Sequence, residues 1–175
     1  MYIYADNAAT TKTSQAAIDA MVDIMNNVYG NPSSLHTVGQ KAKEALEKAR
    51  VEVAQCLGAD FKEIYFTSGG TEADNMAIIK GAQARRRAGN RIITTKTEHP
   101  AVLEPCAYME KQGFEVVYID VDSKGCIDLE QLKSAVNDNT ILISVMHVNN
   151  ELGSINPIAE ISKLKGCLLY TSDAA

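Results

Sequence analysis

The stretch Glu63-Ile64-Tyr65-Phe66-Thr67-Ser68-Gly69-Gly70-Thr71-Glu72 decides how this chain is read. The apolar run at 64–66 predicts a short strand, and the pattern over 72–87 predicts a long helix. Gly69 and Gly70 make a tight turn between them. Strand, glycine turn and helix start together aim unpaired backbone N–H groups at one spot, where the helix dipole favours an anion. The two glycines let a ligand approach the backbone closely, and Ser68 and Thr71 add hydroxyl donors. The stretch reads as a phosphate cup or, more plainly, as a well-capped helix after a strand. It is not a G-x-x-x-x-G-K-[ST] loop, because no lysine follows the glycines, and G-x-G-x-x-G is absent too.

Working outward, the pattern repeats. Gly89-Asn90 turns into a strand over 91–95. A helix over 101–112 ends at Gly113, and a strand over 115–119 follows. A helix over 128–136, a strand over 140–147 and a last helix starting near Pro157 complete the series. The continuous run Ile141-Leu142-Ile143-Ser144-Val145-Met146 suits a strand buried on both faces. Strands alternating with helices predict an α/β fold: three layers around a mostly parallel sheet. Upstream, Ser14 can cap a helix with Ile18, Met21, Val22 and Met25 on one face. Gly30-Asn31-Pro32-Ser33-Ser34 breaks it. A second helix presents Val38, Ala42, Ala45, Leu46, Ala49, Val53 and Leu57, with Gly58 at its end. Residues 2–6 are a strand or extended arm, and 6–11 a loop. Arg85-Arg86-Arg87 reads as a solvated helix end that complements the dipole.

Ligands of such sheets bind at the carboxyl ends of the strands. Three polar clusters fall there: 67–71, Thr97-Glu98-His99, and His147-Val148-Asn149-Asn150-Glu151. Their expected convergence argues for a site.

The 175 residues carry 17 basic and 22 acidic side chains, a net charge of −5, which points to neither nucleic acid nor an anionic membrane as partner. An apolar content of 46% supports a real core. No apolar run approaches the ~20 residues of a membrane helix. The N-terminus lacks the basic and apolar regions of a secretory signal. Cys56, Cys106, Cys126 and Cys167 have no metal-type spacing and read as reduced thiols of a cytoplasmic protein.

With the three clusters in order, the chain resembles the cysteine desulfurases, class V aminotransferase-like enzymes that depend on pyridoxal phosphate. The matching stretches are Tyr4-Ala5-Asp6-Asn7-Ala8-Ala9-Thr10-Thr11, Gly30-Asn31-Pro32-Ser33-Ser34, Phe66-Thr67-Ser68-Gly69-Gly70-Thr71-Glu72, Lys96-Thr97-Glu98-His99 and Met146-His147-Val148-Asn149-Asn150-Glu151-Leu152-Gly153. The His-Val-Asn-Asn-Glu form is similar to the nitrogen-fixation and housekeeping branch. The resemblance implies the large domain of fold type I, truncated, with residues 1–165 as its N-terminal part. It implies that Gly70 and Thr71 hold the cofactor phosphate and that His99 stacks on the pyridine ring and can carry a proton. Asn150 would hydrogen-bond the cofactor near its phenolic oxygen. It further implies L-cysteine as substrate, transfer of its sulfur to an enzyme cysteine, a homodimer, and an iron–sulfur scaffold or other sulfur acceptor as partner. No metal ligand set is expected. Another class V aminotransferase, a selenocysteine lyase, or a non-catalytic chain that binds a phosphorylated ligand through 67–71 are the alternatives.

In the family the Schiff-base lysine and the sulfur-accepting cysteine lie beyond this stretch of chain. Lys96 does not match that lysine, and Cys56, Cys106 and Cys126 do not match that cysteine. The family's Asp-Ala-x-Gln motif is expected after a further strand past residue 165. Asp173-Ala174 imitates it without the glutamine. Residues 167–175 read as a cloning or assembly scar, so Asp173 is given no role.

Overall fold

The computed structural model describes residues 3–164 and the backbone of 168–170. The chain divides into two units, residues 11–66, and residues 1–10 together with 67–175.

Residues 11–66 hold two α-helices and a short 3₁₀ turn, Phe61–Glu63. Helix α1, Gln15–Asn27, starts where Ser14 Oγ accepts the amide of Ala17 at 3.3 Å. Helix α2, Thr37–Leu57, is capped by His36, whose Nδ1 accepts the amide of Gly39 at 3.2 Å. It ends at Gly58, left-handed at φ 65. Gly39 has no room for a side chain: an added Cβ would lie 2.6 Å from Ser34. The 31–34 turn therefore packs directly on the first turn of α2. The expected strand at 64–66 is not formed. The carbonyl of Ile64 accepts from the Arg50 guanidinium, which also lies 5.0 Å from the Phe66 ring centre. A side chain of α2 thus takes the place of a neighbouring strand, and Tyr65 and Phe66 stay exposed.

In the other unit, the helix after the glycine turn starts two residues earlier than expected. It runs as α3, Gly70–Asn75, a π-helical turn, Met76–Lys80, and α4, Gly81–Arg85. Arg86 is not simply solvated: it donates to Gln112 O at 3.0 Å and lies over the Phe114 ring. Strand β1, Arg91–Thr95, leads to α5, Pro100–Lys111, and strand β2, Glu115–Ile119. Asp128 caps α6, Leu129–Ala135, by accepting from the amides of Glu130 and Gln131. Strand β3 is Thr140–Ser144, shorter than the expected 140–147, and α7 is Ile158–Ile161. The backbone of Leu168–Tyr170 forms β4, parallel to β3. The rest of the stretch set aside as a scar, 167 and 171–175, lies outside the described residues, as does Asp173.

The sheet is parallel throughout, in the order β2-β1-β3-β4. Because side chains alternate across a strand, Ile92 and Leu142 face one side and Ile93 and Ile143 the other. On the first side they meet Ile78, Ala82, Val102, Cys106 and Met109, from the helical run 70–85 and α5. On the second they meet Leu132 of α6 and Ile161 of α7. The result is the expected three layers. Each fully buried Ile or Leu contributes about 1.5–3 kcal/mol of transfer free energy. No described helix is long and apolar enough to cross a membrane.

Candidate functional site

Strands β1 and β3 are neighbours, but the helices that follow them leave for opposite faces. Val102 and Cys106 of α5 sit in one core and Ile161 of α7 in the other. Such a switch point opens a crevice beyond the carboxyl ends of the two strands. It is a cavity of about 280 Å³, lined by residues 97–100 after β1 and 149–152 after β3. His99 and Asn150, 51 positions apart, are thereby brought to one cavity. Gly70 and Thr71 do not line it. They open α3, which packs against α5, the helix that His99 caps.

At that helix start the amides of Gly70, Thr71 and Glu72 donate to no group among the described residues; the first intrahelical bond is Ala73 N to Gly69 O, 3.1 Å. A Cβ built on Gly69 or Gly70 would meet nothing within 4 Å, so the backbone faces open space. The Ser68 hydroxyl is not available to that space. Its Oγ and its amide both donate to Glu72 Oε2, each at 2.7 Å, and these bonds hold the Glu72 carboxyl below its ordinary range. Thr71 is left as the hydroxyl beside the free amides.

Below the cavity lies a network whose members the motifs contained in part but gave no role. Glu98 is 5% exposed. Its Oε1 accepts the amide of Met146 at 2.6 Å and the hydroxyl of Thr95 at 3.2 Å, while Oε2 has no partner among the described residues. Burial pushes its carboxyl up to about 7, with the charge of Asp74 adding to the rise. The carbonyl of Met146 accepts from Asn156 Nδ2 at 2.7 Å, and Asn156 Oδ1 accepts the amide of Ile127 at 2.9 Å. Asn149 Nδ2 donates to Thr97 O at 3.4 Å, and its Oδ1 accepts the amides of Glu151 and Leu152. These buried bonds explain the short β3. Met146 spends its amide on a carboxylate rather than on the sheet. The available signal was Glu98 itself, a carboxylate three residues past the end of a buried strand.

The ring of His99 is fixed by its own helix. Nδ1 accepts the amide of Ala101 at 3.1 Å, closing the first turn of α5. An acceptor nitrogen carries no proton, so the neutral ring holds its proton on Nε2. We expect the ¹⁵N shifts of His99, in the neutral ring, to show Nδ1 bare and Nε2 protonated. The opposite tautomer would mean that the capping bond is absent in solution.

Lys96 is engaged elsewhere, its Nζ 2.5 Å from Asp120 Oδ1 across the ends of β1 and β2. Cys56, Cys106 and Cys126 are free thiols, and the buried Cys106 is pushed up to about 12 by its apolar surroundings. The described residues contain no cluster suited to a metal ion.

The family model "Aminotransferase class-V" matches residues 3–175. The cysteine desulfurase IscS of Dictyoglomus turgidum is 49% identical over 162 residues, which cover 93% of this chain and 41% of that protein. The cysteine desulfurase IscS of Methanosarcina thermophila is also 49% identical, over 93% of this chain and 40% of its own length. Among solved structures, a "NifS-like protein" superposes with a TM-score of 0.93 at 38% identity, covering 98% of this chain and 49% of that one. The structure "SspA in complex with cysteine" gives 0.86 at 36% identity, over 94% of this chain and 48% of that one. The chain thus spans about two fifths of the length of the curated relatives it matches.

Proposed function

We infer the function from membership: this chain belongs to the aminotransferase class-V family. The whole protein is a cysteine desulfurase of fold type I. It converts L-cysteine to L-alanine and passes the sulfur to one of its own cysteines as a persulfide, which feeds iron–sulfur cluster assembly. The observation that carries this is the near-half identity, over almost the whole chain, to relatives named cysteine desulfurase. The protein works as a cytoplasmic homodimer and delivers sulfur to a scaffold or other acceptor protein.

The donor set fits pyridoxal phosphate. Three unclaimed amides, the Thr71 hydroxyl and the open space beside Gly70 suit a phosphate dianion at a helix start. The Glu72 carboxylate is turned back onto Ser68, so its charge is already engaged. The cavity of about 280 Å³ is near the lower bound, about 300 Å³, of small-molecule pockets. When bound, the cofactor supplies an electron sink for charge developing at the substrate Cα. Gly70 and Thr71 hold the phosphate. His99 would offer a flat face and a proton on Nε2, and Asn150 would offer its side-chain amide near the ring's phenolic oxygen.

The test is turnover by the intact protein. With pyridoxal phosphate, L-cysteine and a reductant, it is expected to release alanine and sulfide in equal amounts. Amino transfer to a keto acid without sulfide would favour another class V aminotransferase. Activity on L-selenocysteine alone would favour a selenocysteine lyase, and phosphate-ligand binding without turnover a non-catalytic role.

A further inference from the structure

We propose that Glu98 is a positioning residue, whose carboxylate ties the loop carrying His99 to the loop carrying Asn150 and so holds the two walls of the cavity at their working separation. The inference rests on the reading above that these two side chains face the cofactor.

Glu98 is next to His99 in the chain, yet its side chain points the other way, into the protein. There it accepts the amide of Met146, 48 positions downstream and four residues before Asn150. The same Met146 peptide is gripped at its carbonyl by Asn156. Its plane is therefore fixed from both sides by buried side chains, each 5% exposed. A second bond, Asn149 Nδ2 to Thr97 O, crosses the same gap, and the carboxamide that makes it also shapes the Asn150 turn. Elsewhere β1 and β3 are joined by their ladder, which ends at Ile93 and Ile143. Beyond it the two loops are tied by the Glu98–Met146 and Asn149–Thr97 bonds, and the former, at 2.6 Å against 3.4 Å, is the shorter. A buried carboxylate is costly to keep, and a simple apolar side chain would fill the space more cheaply. What only a long acceptor can do here is reach the Met146 amide.

The test compares Glu98→Gln, Glu98→Asp and Glu98→Ala in the intact protein. One measurement is hydrogen exchange of the Met146 amide without cofactor; the other is the dissociation constant for pyridoxal phosphate. Glutamine keeps an acceptor at the same reach and should stay within about threefold of wild type in both. Aspartate is one methylene short, and alanine has no acceptor. Each should speed Met146 exchange and weaken cofactor binding by about tenfold or more, the order expected for a lost hydrogen bond to a charged group. If the alanine variant does not fold, the aspartate variant carries the comparison. The proposal is overturned if aspartate or alanine leaves both quantities unchanged. It is also overturned if folded Glu98→Gln fails as badly as they do, or if exchange speeds up while cofactor affinity holds. Failure of the wild type to bind pyridoxal phosphate would instead overturn the function proposed above.

Discussion

Replacing His99 by alanine in the intact protein is expected to lower kcat for alanine release by about 10²–10⁴-fold, and added pyridoxal phosphate should not restore it. Proton transfer by a positioned side chain acts only on the reacting system, so its loss appears in kcat. His99 has a second task that must be separated from this one. It caps α5 through Nδ1, and losing an N-cap costs about 0.5–2 kcal/mol of stability. His99→Asn keeps a good cap and removes the ring. Equal loss of rate in the alanine and asparagine variants assigns the effect to the imidazole, and recovery in His99→Asn would reduce His99 to a capping residue. Thr71→Ala provides the contrast. The phosphate lies remote from the reacting carbon, so its contacts hold the cofactor about equally in ground and transition states. One charge-assisted hydrogen bond lost there costs about 1.5–3 kcal/mol, or about 10–150-fold in cofactor affinity. Activity of that variant should return at excess cofactor. Full rescue of His99→Ala together with permanent loss in Thr71→Ala would invert the roles given to these residues.

The parts of this molecule that were legible in the sequence are those decided locally. Ser14 and Gly58 announced the ends of α1 and α2 because capping is settled within three or four residues. Strands β1 and β2 were bounded by turn residues and filled with β-branched ones, and they match their expected ranges. The layered fold followed from their alternation with helices. What escaped was decided at a distance. Residues 64–66 have the composition of a strand, but Arg50 of α2 takes the Ile64 carbonyl instead. Val145 and Met146 continue the apolar run of β3, yet the strand stops because a carboxylate 48 positions earlier claims the amide of Met146. Ser68 looked like a free donor until Glu72 folded back on it. Of the site, the pairing of His99 with Asn150 was foreseeable from strand ends. Glu98 and Asn149 stood inside the quoted motifs without a role, and Asn156 stood outside them, because what they do is set by partners far along the chain.

The buried Glu98 also predicts how stability changes with pH. Its carboxyl is raised from 4.5 to about 7 by burial, partly offset by the bonds from Met146 and Thr95. A carboxyl raised on folding binds its proton more tightly in the native state than in the unfolded chain. Its contribution is therefore fully present below about 4.5 and is lost as the pH rises through about 7. The interval corresponds to about 3 kcal/mol between the two ends. Glu98→Gln cannot ionise and keeps the Oε1 acceptor, so it should lack this loss. Denaturant unfolding of the intact protein at a series of pH values should show wild type falling relative to Glu98→Gln by about 2–4 kcal/mol between pH 4.5 and pH 8. Most of that difference should develop between pH 5 and pH 7. The charge of Asp74 faces the same carboxyl, so removing it by Asp74→Asn should shift the fall in wild-type stability to a higher fraction retained at pH 7. Parallel curves for wild type and Glu98→Gln across this range would show that Glu98 is ionised at no cost, and that the carboxylate is better solvated than its burial implies.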